Sequence, residues 1–428
     1  MSDNDKPWKG WQKLREMLID PSVDEQALNQ ALETASARQP PPVLWLLGKT
    51  QSGKTSLIRA LTGSSDAEIG NGFKPCTKTA RFYDFPAQAP IVRFLDTRGL
   101  GEVDYNPGND IEYCESQAHL VIAVMKASDV RQDAVFEVLR TIRKRHPDWA
   151  VLVVQSCLHE LYPPMADHAQ PYPFDQENGW RQVPSDLSRA LRDQQERLGK
   201  LAGDAPLTFV PVDFTLPEDG YEPVYYGLDA LLTAIETASS FGLQTLLRAD
   251  PDVKSAYSRA AHPHIMGYTV AAATVGALPV VDMALVPALQ VKLLHTLAAL
   301  YNFSWTARTS SEFFGLLGMS FAAGYGLRWA GRGLIKLIPV WGQTIGAVWG
   351  ATSSGAITFA LGKSACYYLE QKGKGVNVDA DALRKVYADA FARGRTLSAL
   401  QEQTTPDQTK QQQAAESPTT PDNKDQTP

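Results

Sequence analysis

The sequence predicts an α/β domain, in which helices flank a mostly parallel sheet, followed by an all-α C-terminal domain rich in small residues and by a disordered tail. Three observations support this prediction. Apolar runs of strand length alternate with helical patterns up to about residue 245. A glycine-rich turn joins the first of these runs to a helix-forming segment. Beyond residue 250 the chain becomes apolar and basic, and residues 401–428 contain almost no apolar side chains.

A chain of 428 residues is too long for one typical hydrophobic core, so we predict several domains. In order, they are an N-terminal helical extension (1–40), the α/β domain (41–245), the helical domain (250–375), a C-terminal helix (376–400) and the disordered tail (401–428). Within the α/β domain, short apolar runs and amphipathic patterns indicate strands at 43–47, 80–85, 91–95, 120–125, 150–155 and 208–213, and helices at 134–145, 185–201 and 228–238.

The glycine-rich turn has the spacing G-x-x-x-x-G-K-[ST], from Gly48 to Thr55. Glycines let backbone N–H groups approach phosphate oxygens, and the start of the following helix adds partial positive charge. Lys54 is expected to reach the β- and γ-phosphates, and the Thr55 hydroxyl to bind Mg²⁺. The turn therefore predicts a nucleoside triphosphate site formed by Gly48, Lys49, Thr50, Gln51, Ser52, Gly53, Lys54, Thr55 and Ser56.

Two further segments match parts of such a site. The predicted strand 91–95 runs into Asp96-Thr97-Arg98-Gly99, a D-x-x-G turn in which the acidic residue helps to hold Mg²⁺ and a backbone N–H can sense the γ-phosphate. The polar loop over residues 70–79 has the composition of a mobile switch. Thr77 is the first candidate for a threonine ordered by Mg²⁺ and the γ-phosphate, and Thr79 is the second.

Through GKTQSGKT, Pro75-Cys76-Thr77 and DTRG, in that order, residues 41–240 resemble the Era-like, translation-factor-related GTPases. The resemblance implies a mostly parallel sheet with helices on its faces, and GTP with Mg²⁺ as cofactors. It also implies catalytic roles for Lys54 and Thr77 and metal ligation by Thr55, Thr77 and Asp96, with Gly99 contacting the nucleotide.

Three departures from that family's pattern concern K⁺ activation, base choice and hydrolysis. The first is Gln51, at the phosphate-loop position where potassium-activated relatives carry asparagine, so K⁺ activation is not expected. The family's guanine-reading motif, N/T-K-x-D, is replaced here by Ser156-Cys157-Leu158-His159-Glu160, so that Ser156, His159 and Glu160 are the candidate base contacts and ATP stays open beside GTP. Leu100 follows Gly99, where many signalling GTPases have a glutamine that positions water. Because leucine cannot orient water by hydrogen bonding, we expect slow hydrolysis.

The second half of the chain suggests contact with a membrane or tight helix packing. Residues 254–374 contain ten Lys or Arg and three acidic residues, a net charge of +7 within a chain whose overall charge is −6. Uncharged runs at 265–281 and 337–362 approach the roughly 20 apolar residues that span a bilayer. Small residues such as Gly342, Gly346 and Gly350 equally favour close packing of soluble helices. Both interpretations stay open at this point.

This half also resembles the helical C-terminal domain of YcjF-type bacterial inner-membrane proteins, through Gly276-Ala277-Leu278-Pro279, Leu337-Ile338-Pro339-Val340-Trp341-Gly342 and Leu361-Gly362-Lys363. The resemblance implies architecture and membrane association, and no activity. A last amphipathic helix is expected over 379–399, with an apolar face formed by Leu383, Val386, Tyr387, Ala390 and Phe391.

Several other functions are disfavoured. Four scattered cysteines indicate reduced thiols, and the first residues lack the pattern of a secretory signal, so a cytoplasmic location is expected, with association to the inner membrane as an option. No basic stripe with interleaved aromatic residues is present, so no nucleic acid partner is expected. Cys157, His159 and His168 form a weak candidate metal site with unfamiliar spacing.

The leading hypothesis is therefore a GTP-binding switch with slow Mg²⁺-dependent hydrolysis, which controls contact of the helical domain with an anionic membrane surface or a protein partner. One alternative is a nucleotide-binding scaffold with negligible turnover. The other is a membrane-remodelling protein that resembles bacterial dynamins.

Overall fold

The computed structural model describes residues 25–38, 40–65, 69, 71–76, 80–97, 108–164, 166–176, 179–239, 247, 256–276, 285–318 and 342–404. The chain divides into two compact units. Leu32–Gly267 is called the α/β unit below, and Tyr268–Pro428 together with Met1–Ala31 is called the helical unit.

The α/β unit is built around one seven-stranded sheet with strand order β2-β3-β4-β1-β5-β6-β7. Its strands are β1 (Val43–Leu47), β2 (Lys74–Pro75), β3 (Ala80–Phe85), β4 (Val92–Thr97), β5 (Leu120–Lys126), β6 (Val151–Ser156) and β7 (Leu207–Pro211). Strands β4, β1, β5, β6 and β7 are parallel, whereas β3 runs antiparallel to both β4 and β2. The α/β class with a mostly parallel sheet, predicted from the sequence, is confirmed.

Helices alternate with these strands along the chain, as βαβ connections require. They are α1 (Glu25–Arg38), α2 (Lys54–Thr62), α3 (Gly108–Gln117), α4 (Asp133–Arg145), α5 (Ser185–Gly199) and α6 (Leu228–Ser239). A separate antiparallel pair is formed by β8 (Asp213–Phe214) and β9 (Tyr225–Tyr226).

Strands β1, β5 and β6 are buried on both faces, which explains their nearly continuous apolar sequences. On one face, Trp45 and Val121 belong to the same core cluster as Leu139 and Ile142 of α4. Apolar residues of α4 recur at the spacing of one helix face, so the helix covers the sheet. Burial of each such side chain contributes roughly 1.5–3 kcal/mol. Of the charged residues of α4, Arg143 is buried and donates to the carbonyls of Ala202 and Ala205.

The predicted strand bounds agree with the structure to within two residues, but the last predicted strand joins two separate elements. It was expected over 208–213, whereas β7 ends at Pro211 and Asp213 pairs with Tyr226 in the separate β8–β9 ladder. The amide of Val212 still donates to the carbonyl of Gln155, and the chain then leaves the main sheet. This turn carries the Asp213 carboxylate to the end of β6.

The helical unit contains α8 (Leu285–Leu300), α9 (Ala307–Leu317), α10 (Gly342–Gly373) and α11 (Ala380–Thr404). The two divisions between the units fall within α1 and within α7 (Ala256–Gly276). Helix α10 packs against α11 and α8, and α9 packs against α11. Leu383, Tyr387 and Ala390 of the last helix are buried, as its amphipathic pattern predicts. No helix in the described part of the chain combines the length and the hydropathy needed to cross a membrane.

Some predictions fall on other parts of the chain. Helix α11 continues to Thr404, so the predicted tail begins at least four residues later than expected. The rest of the tail and residues 1–24 of the predicted N-terminal helical extension lie outside the described residues. So do the side-chain surroundings of Gly342, Gly346 and Gly350 in α10.

Candidate nucleotide-binding site

The predicted phosphate loop lies at the carboxyl end of β1, in the middle of the sheet. Because β4, β1, β5 and β6 are parallel, the loops that follow them lie along one edge. Ligands in open α/β sheets bind in the crevice outside this edge. The tertiary structure therefore brings the loop after β1 together with Asp96 at the end of β4 and with Ser156 at the end of β6.

Glycine is required at two positions of the loop. A Cβ atom on Gly48 would lie 2.5 Å from the carbonyl oxygen of Val124 and 2.7 Å from Ser52 Oγ. Gly53 has φ of 92°, in the left-handed region, and immediately precedes helix α2. The loop can thus turn sharply and lead directly into α2, whose first N–H groups carry partial positive charge.

We expect Gly48→Ala to weaken nucleoside triphosphate binding by at least about tenfold, because the added methyl group must displace backbone of β5 or of the loop. Gly199→Ala is the matched control, since a Cβ on Gly199 meets no atom within 4 Å. Equilibrium binding of a fluorescent triphosphate measures the effect. Equal affinities of Gly48→Ala and wild type would contradict the role assigned to this close approach.

The two lysines of the loop have different surroundings. Lys54 Nζ donates hydrogen bonds to the carbonyl oxygens of Gly48 (2.9 Å) and Lys49 (3.0 Å), which holds the ammonium group across the loop. Lys49 Nζ instead forms an ion pair with Asp129 and donates to the carbonyl of Arg131 (2.9 Å). Lys49 therefore ties the loop to the β5–α4 connection, and only its backbone remains for phosphate.

The other predicted loop residues differ in exposure. The side chains of Thr50, Gln51 and Thr55 are exposed, and Gln51 has φ of 62°. Ser52 is buried, and its Oγ has no hydrogen-bond partner in the described part of the chain. Ser56 is half-buried on the first turn of α2.

Asp96 has the properties of a cation ligand. Its Oδ1 atom is buried and lacks a hydrogen-bond partner among the described residues. Burial raises the pKa of Asp96 to about 6, while the nearby Lys54 and Arg81 charges oppose that rise. Oxygen ligands are those that Mg²⁺ prefers, and a buried carboxylate oxygen without a hydrogen-bond partner among the described residues suits that ion. Thr77, Thr79, Gly99 and Leu100, which belong to the same predicted set, lie outside the described residues.

The predicted base-reading segment directly contacts the phosphate loop. Ser156 Oγ donates to the carbonyl of Ser52 (2.6 Å). His159 Nδ1 lies 2.8 Å from Asp213 Oδ1, and the His159 backbone N–H donates to Asp213 Oδ2 (2.6 Å). Glu160 forms an ion pair with Lys126 (2.6 Å). Ser156 therefore lies against the phosphate loop, whereas His159 and Glu160 are held by Asp213 and Lys126.

Sequence reasoning missed two residues of this region, Asp213 and Lys126. Each is a charged residue at the end of a predicted buried strand, and this position is the feature of the sequence that could have marked it as a candidate site residue. Their partners are separated from them by 34 or more residues in the chain, so pairing could not be inferred from local pattern. The weak metal-site alternative gains no support, since no group of three or more His, Cys, Asp or Glu in the described residues can hold a metal ion. His159 and His168 both approach Asp213 instead.

Comparison with known proteins agrees with this geometry. Residues 43–155 match the family model of the 50S ribosome-binding GTPase, and this range begins at β1 and ends in β6. The α/β unit is a P-loop GTPase domain. The Era-like subtype and the YcjF-type C-terminal domain remain predictions.

Individual relatives are more distant. The chain is 31% identical over 138 residues to magnetosome membrane protein 22 of Magnetospirillum gryphiswaldense. The match covers 32% of this chain and 70% of that protein. The chain belongs to the same family as this relative. Among solved structures, the G domain of the T. maritima FeoB iron transporter shows 17% identity and a TM-score of 0.27, over 46% of this chain and 98% of that one. The small COPII coat GTPase SAR1 from Encephalitozoon cuniculi, in complex with GDP, shows 16% identity and a TM-score of 0.32, over 57% and 97% of the two chains.

Proposed function

We propose that the protein binds GTP with Mg²⁺, hydrolyses it slowly, and uses the nucleotide state to control the contacts of its helical unit. The observation that carries this proposal is the placement of an ammonium group and an orphaned carboxylate at one sheet edge. Lys54 is held across the phosphate loop, and its charge acts on the buried Asp96 carboxyl at the end of the neighbouring strand. The ammonium group suits the phosphate oxygens of a nucleoside triphosphate, and the carboxylate oxygen suits the divalent ion bound to them.

Each residue then has a distinct task. The backbone N–H groups from Gly48 to Lys54 cradle phosphate oxygens, and the Lys54 ammonium stabilises charge on the β- and γ-phosphates. Thr55 and Asp96 hold Mg²⁺, with Thr77 as a further ligand and Gly99 as the γ-phosphate sensor. When bound, Mg²⁺ neutralises charge that develops on the transferred phosphoryl group. Leu100 provides no hydrogen bond to an attacking water, so turnover is slow.

The nucleotide preference and the turnover are tested together. Competition between GTP, ATP, GDP and ADP in equilibrium binding with Mg²⁺ is expected to show tighter binding of the triphosphates, and phosphate release is expected to be slow but above that of Lys54→Ala. Failure to retain any triphosphate would reject the proposal. Equal phosphate release by wild type and Lys54→Ala would leave the alternative, a nucleotide-binding scaffold with negligible turnover.

For the helical unit, we propose GTP-dependent contact with an anionic membrane surface. The basic segment 254–374, of which residues 268–374 belong to the helical unit, carries a net charge of +7, and Lys or Arg near an anionic leaflet contributes about 1 kcal/mol each. The relative from Magnetospirillum is named as a membrane protein. A protein partner with an acidic surface is the alternative occupant, and a membrane-remodelling role is less supported because no long heptad-rich stalk is present in the sequence.

Vesicle flotation measures this contact. The protein is expected to float with vesicles of phosphatidylcholine and phosphatidylglycerol, and to do so several-fold more with a non-hydrolysable GTP analogue than with GDP. Vesicles of phosphatidylcholine alone are the control, and about 1 M salt is expected to reduce the binding because it shortens the screening length to about 3 Å. No binding in either nucleotide state would reject the membrane and favour the protein partner.

A further inference from the structure

The two carboxylates beside the base-reading segment are already paired. Glu160 Oε1 lies 2.6 Å from Lys126 Nζ, and its other oxygen accepts a hydrogen bond from Ser128. Asp213 is 1% exposed, and both its oxygens are within hydrogen-bond distance of His159 atoms. A carboxylate that reads guanine must accept hydrogen bonds from two donors on the base. Neither of these two carboxylates has its oxygens free for that task.

His159 is instead the side chain of this segment that is both fixed in position and partly exposed to a ligand. Its Nδ1 and its backbone N–H both contact Asp213. One buried carboxylate therefore fixes both the position of His159 and the orientation of its ring. Its ring centroid lies 5.1 Å from that of Tyr221, and 29% of its side chain is exposed. Because Asp213 accepts from Nδ1, that nitrogen carries a proton, and Nε2 is left as the position that can meet a ligand. No contact of Nε2 within the described residues is seen.

We infer that His159, positioned by Asp213, recognises the nucleotide base through Nε2 in place of a carboxylate. This inference rests on the proposed nucleotide site and deepens it. A neutral Nε2 accepts one hydrogen bond, from guanine N1–H or from the amino group of adenine. A protonated Nε2 donates one, to guanine O6 or to adenine N1. A single contact of this kind changes the relative affinity for the two purines by about tenfold or less. Which purine binds more tightly depends on whether Nε2 is protonated.

The groups that face His159 determine when it titrates. Asp213 from β8 is the nearest, and His168 from the long loop after β6 approaches the same carboxylate. Asp219 and Tyr221 belong to the β8–β9 connection. Glu160 lies in the same turn as His159 and is paired with Lys126 of β5. The hydrogen bond to Asp213 raises the pKa of His159 above the ordinary value, partial burial opposes the rise, and the Asp213, Glu160 and Asp219 charges add to it. His168 has a fully buried side chain that stacks on Tyr226 at 4.3 Å, and its Nε2 lies 3.2 Å from Asp213 Oδ2.

The test compares GTP, ATP and inorganic tripolyphosphate, with Mg²⁺, at pH 6 and pH 8. Wild type is expected to bind GTP within about tenfold of ATP, and the ratio of the two affinities is expected to change at least about threefold between the two pH values. Titration of the phosphates affects both nucleotides alike and cancels in the ratio. His159→Gln is expected to make the ratio independent of pH, while binding of tripolyphosphate, which has no base, stays unchanged.

His146→Gln is the matched control, because His146 lies at the end of α4, stacked on Trp149, and should keep the pH-dependent ratio. As a measurement independent of any variant, the NMR signal of the His159 ring should shift on addition of GTP and not on addition of tripolyphosphate. A pH-independent preference for GTP above about 100-fold, or an unchanged ratio in His159→Gln, would overturn the inference. If tripolyphosphate and both nucleotides fail to bind, the proposed nucleotide site fails instead.

Discussion

Lys54→Ala is expected to weaken binding of GTP and ATP by about 100-fold or more. In the structure the ammonium group is held by the carbonyls of Gly48 and Lys49, so it is positioned before the ligand arrives and little side-chain entropy is lost on binding. Charge-assisted hydrogen bonds to phosphate are worth about 1.5–3 kcal/mol, and loss of the charge in a partly desolvated crevice adds to this. Isothermal titration with Mg²⁺ and each nucleotide measures the loss.

Two other variants separate the role of this residue from a general effect of charge. Lys200→Ala removes one positive charge from the surface of the same unit, where Lys200 pairs with Glu196, and it should leave nucleotide affinity unchanged. Lys54→Arg keeps the charge but changes its shape, so an intermediate loss is expected. If Lys54→Ala binds triphosphate as tightly as Lys200→Ala does, the phosphate loop does not hold the ligand and the proposed function is wrong.

Asp96→Asn is expected to have two opposite effects. It should remove most of the Mg²⁺ dependence of triphosphate binding, because asparagine keeps the shape of the ligand but not its charge. Without ligand, it should raise the free energy of unfolding at pH 7 by about 1–3 kcal/mol, because a buried carboxylate without a partner is costly. Thermal unfolding without nucleotide, and nucleotide titration with and without Mg²⁺, measure the two effects.

The sign of the stability effect follows from the pKa of Asp96, which burial raises from 3.8 to about 6. In this case the folded state holds its proton to a higher pH than the unfolded chain does. Stability of the ligand-free wild type should therefore fall as pH rises from about 4 through 6, and that fall should be absent in Asp96→Asn. Asp186→Asn, at an exposed ion pair with Arg189, is the matched control. A destabilised Asp96→Asn protein with intact Mg²⁺ dependence would contradict both expectations.

Much of the α/β unit was predictable because its signals are local. The apolar run of β1, the spacing from Gly48 to Thr55 and the D-x-x-G turn are contiguous stretches, and each specifies its own backbone geometry. The boundary at Asp213 was not predictable in the same way. Val212 continues the apolar run of β7, and only the pairing of Asp213 with Tyr226 shows that the chain has already left the main sheet.

The base-reading segment shows the same limit more sharply. The sequence reveals that lysine and aspartate are missing after β6 and that His159 and Glu160 stand there. It does not reveal that Glu160 is paired with Lys126, or that His159 rests on a carboxylate 54 residues away. Lys126 is the last residue of β5 and Asp213 the first of β8, two residues after β7 ends. They meet this segment because parallel strands place their carboxyl ends along one edge.

For the helical unit, the uncharged runs suited both lipid and protein surroundings, and composition alone did not decide between them. In the structure Gln290 donates to Thr358, and the Thr358 hydroxyl donates to the carbonyl of Ser354, so polar groups inside the packed helices are satisfied by one another. Ile357, Leu361 and Tyr368 of α10 are buried in the same unit. These contacts account for part of the low-charge run without requiring lipid.

The sequence by itself determined the class of the first domain and the presence of a phosphate loop, because strand periodicity and a glycine-lysine-threonine spacing act over a few neighbouring residues. Only the tertiary structure decided which charged groups are already neutralised and which remain for a ligand. Electrostatic pairing depends on distances of 3 to 4 Å between residues that are far apart in the chain, and those distances exist only once the sheet has formed.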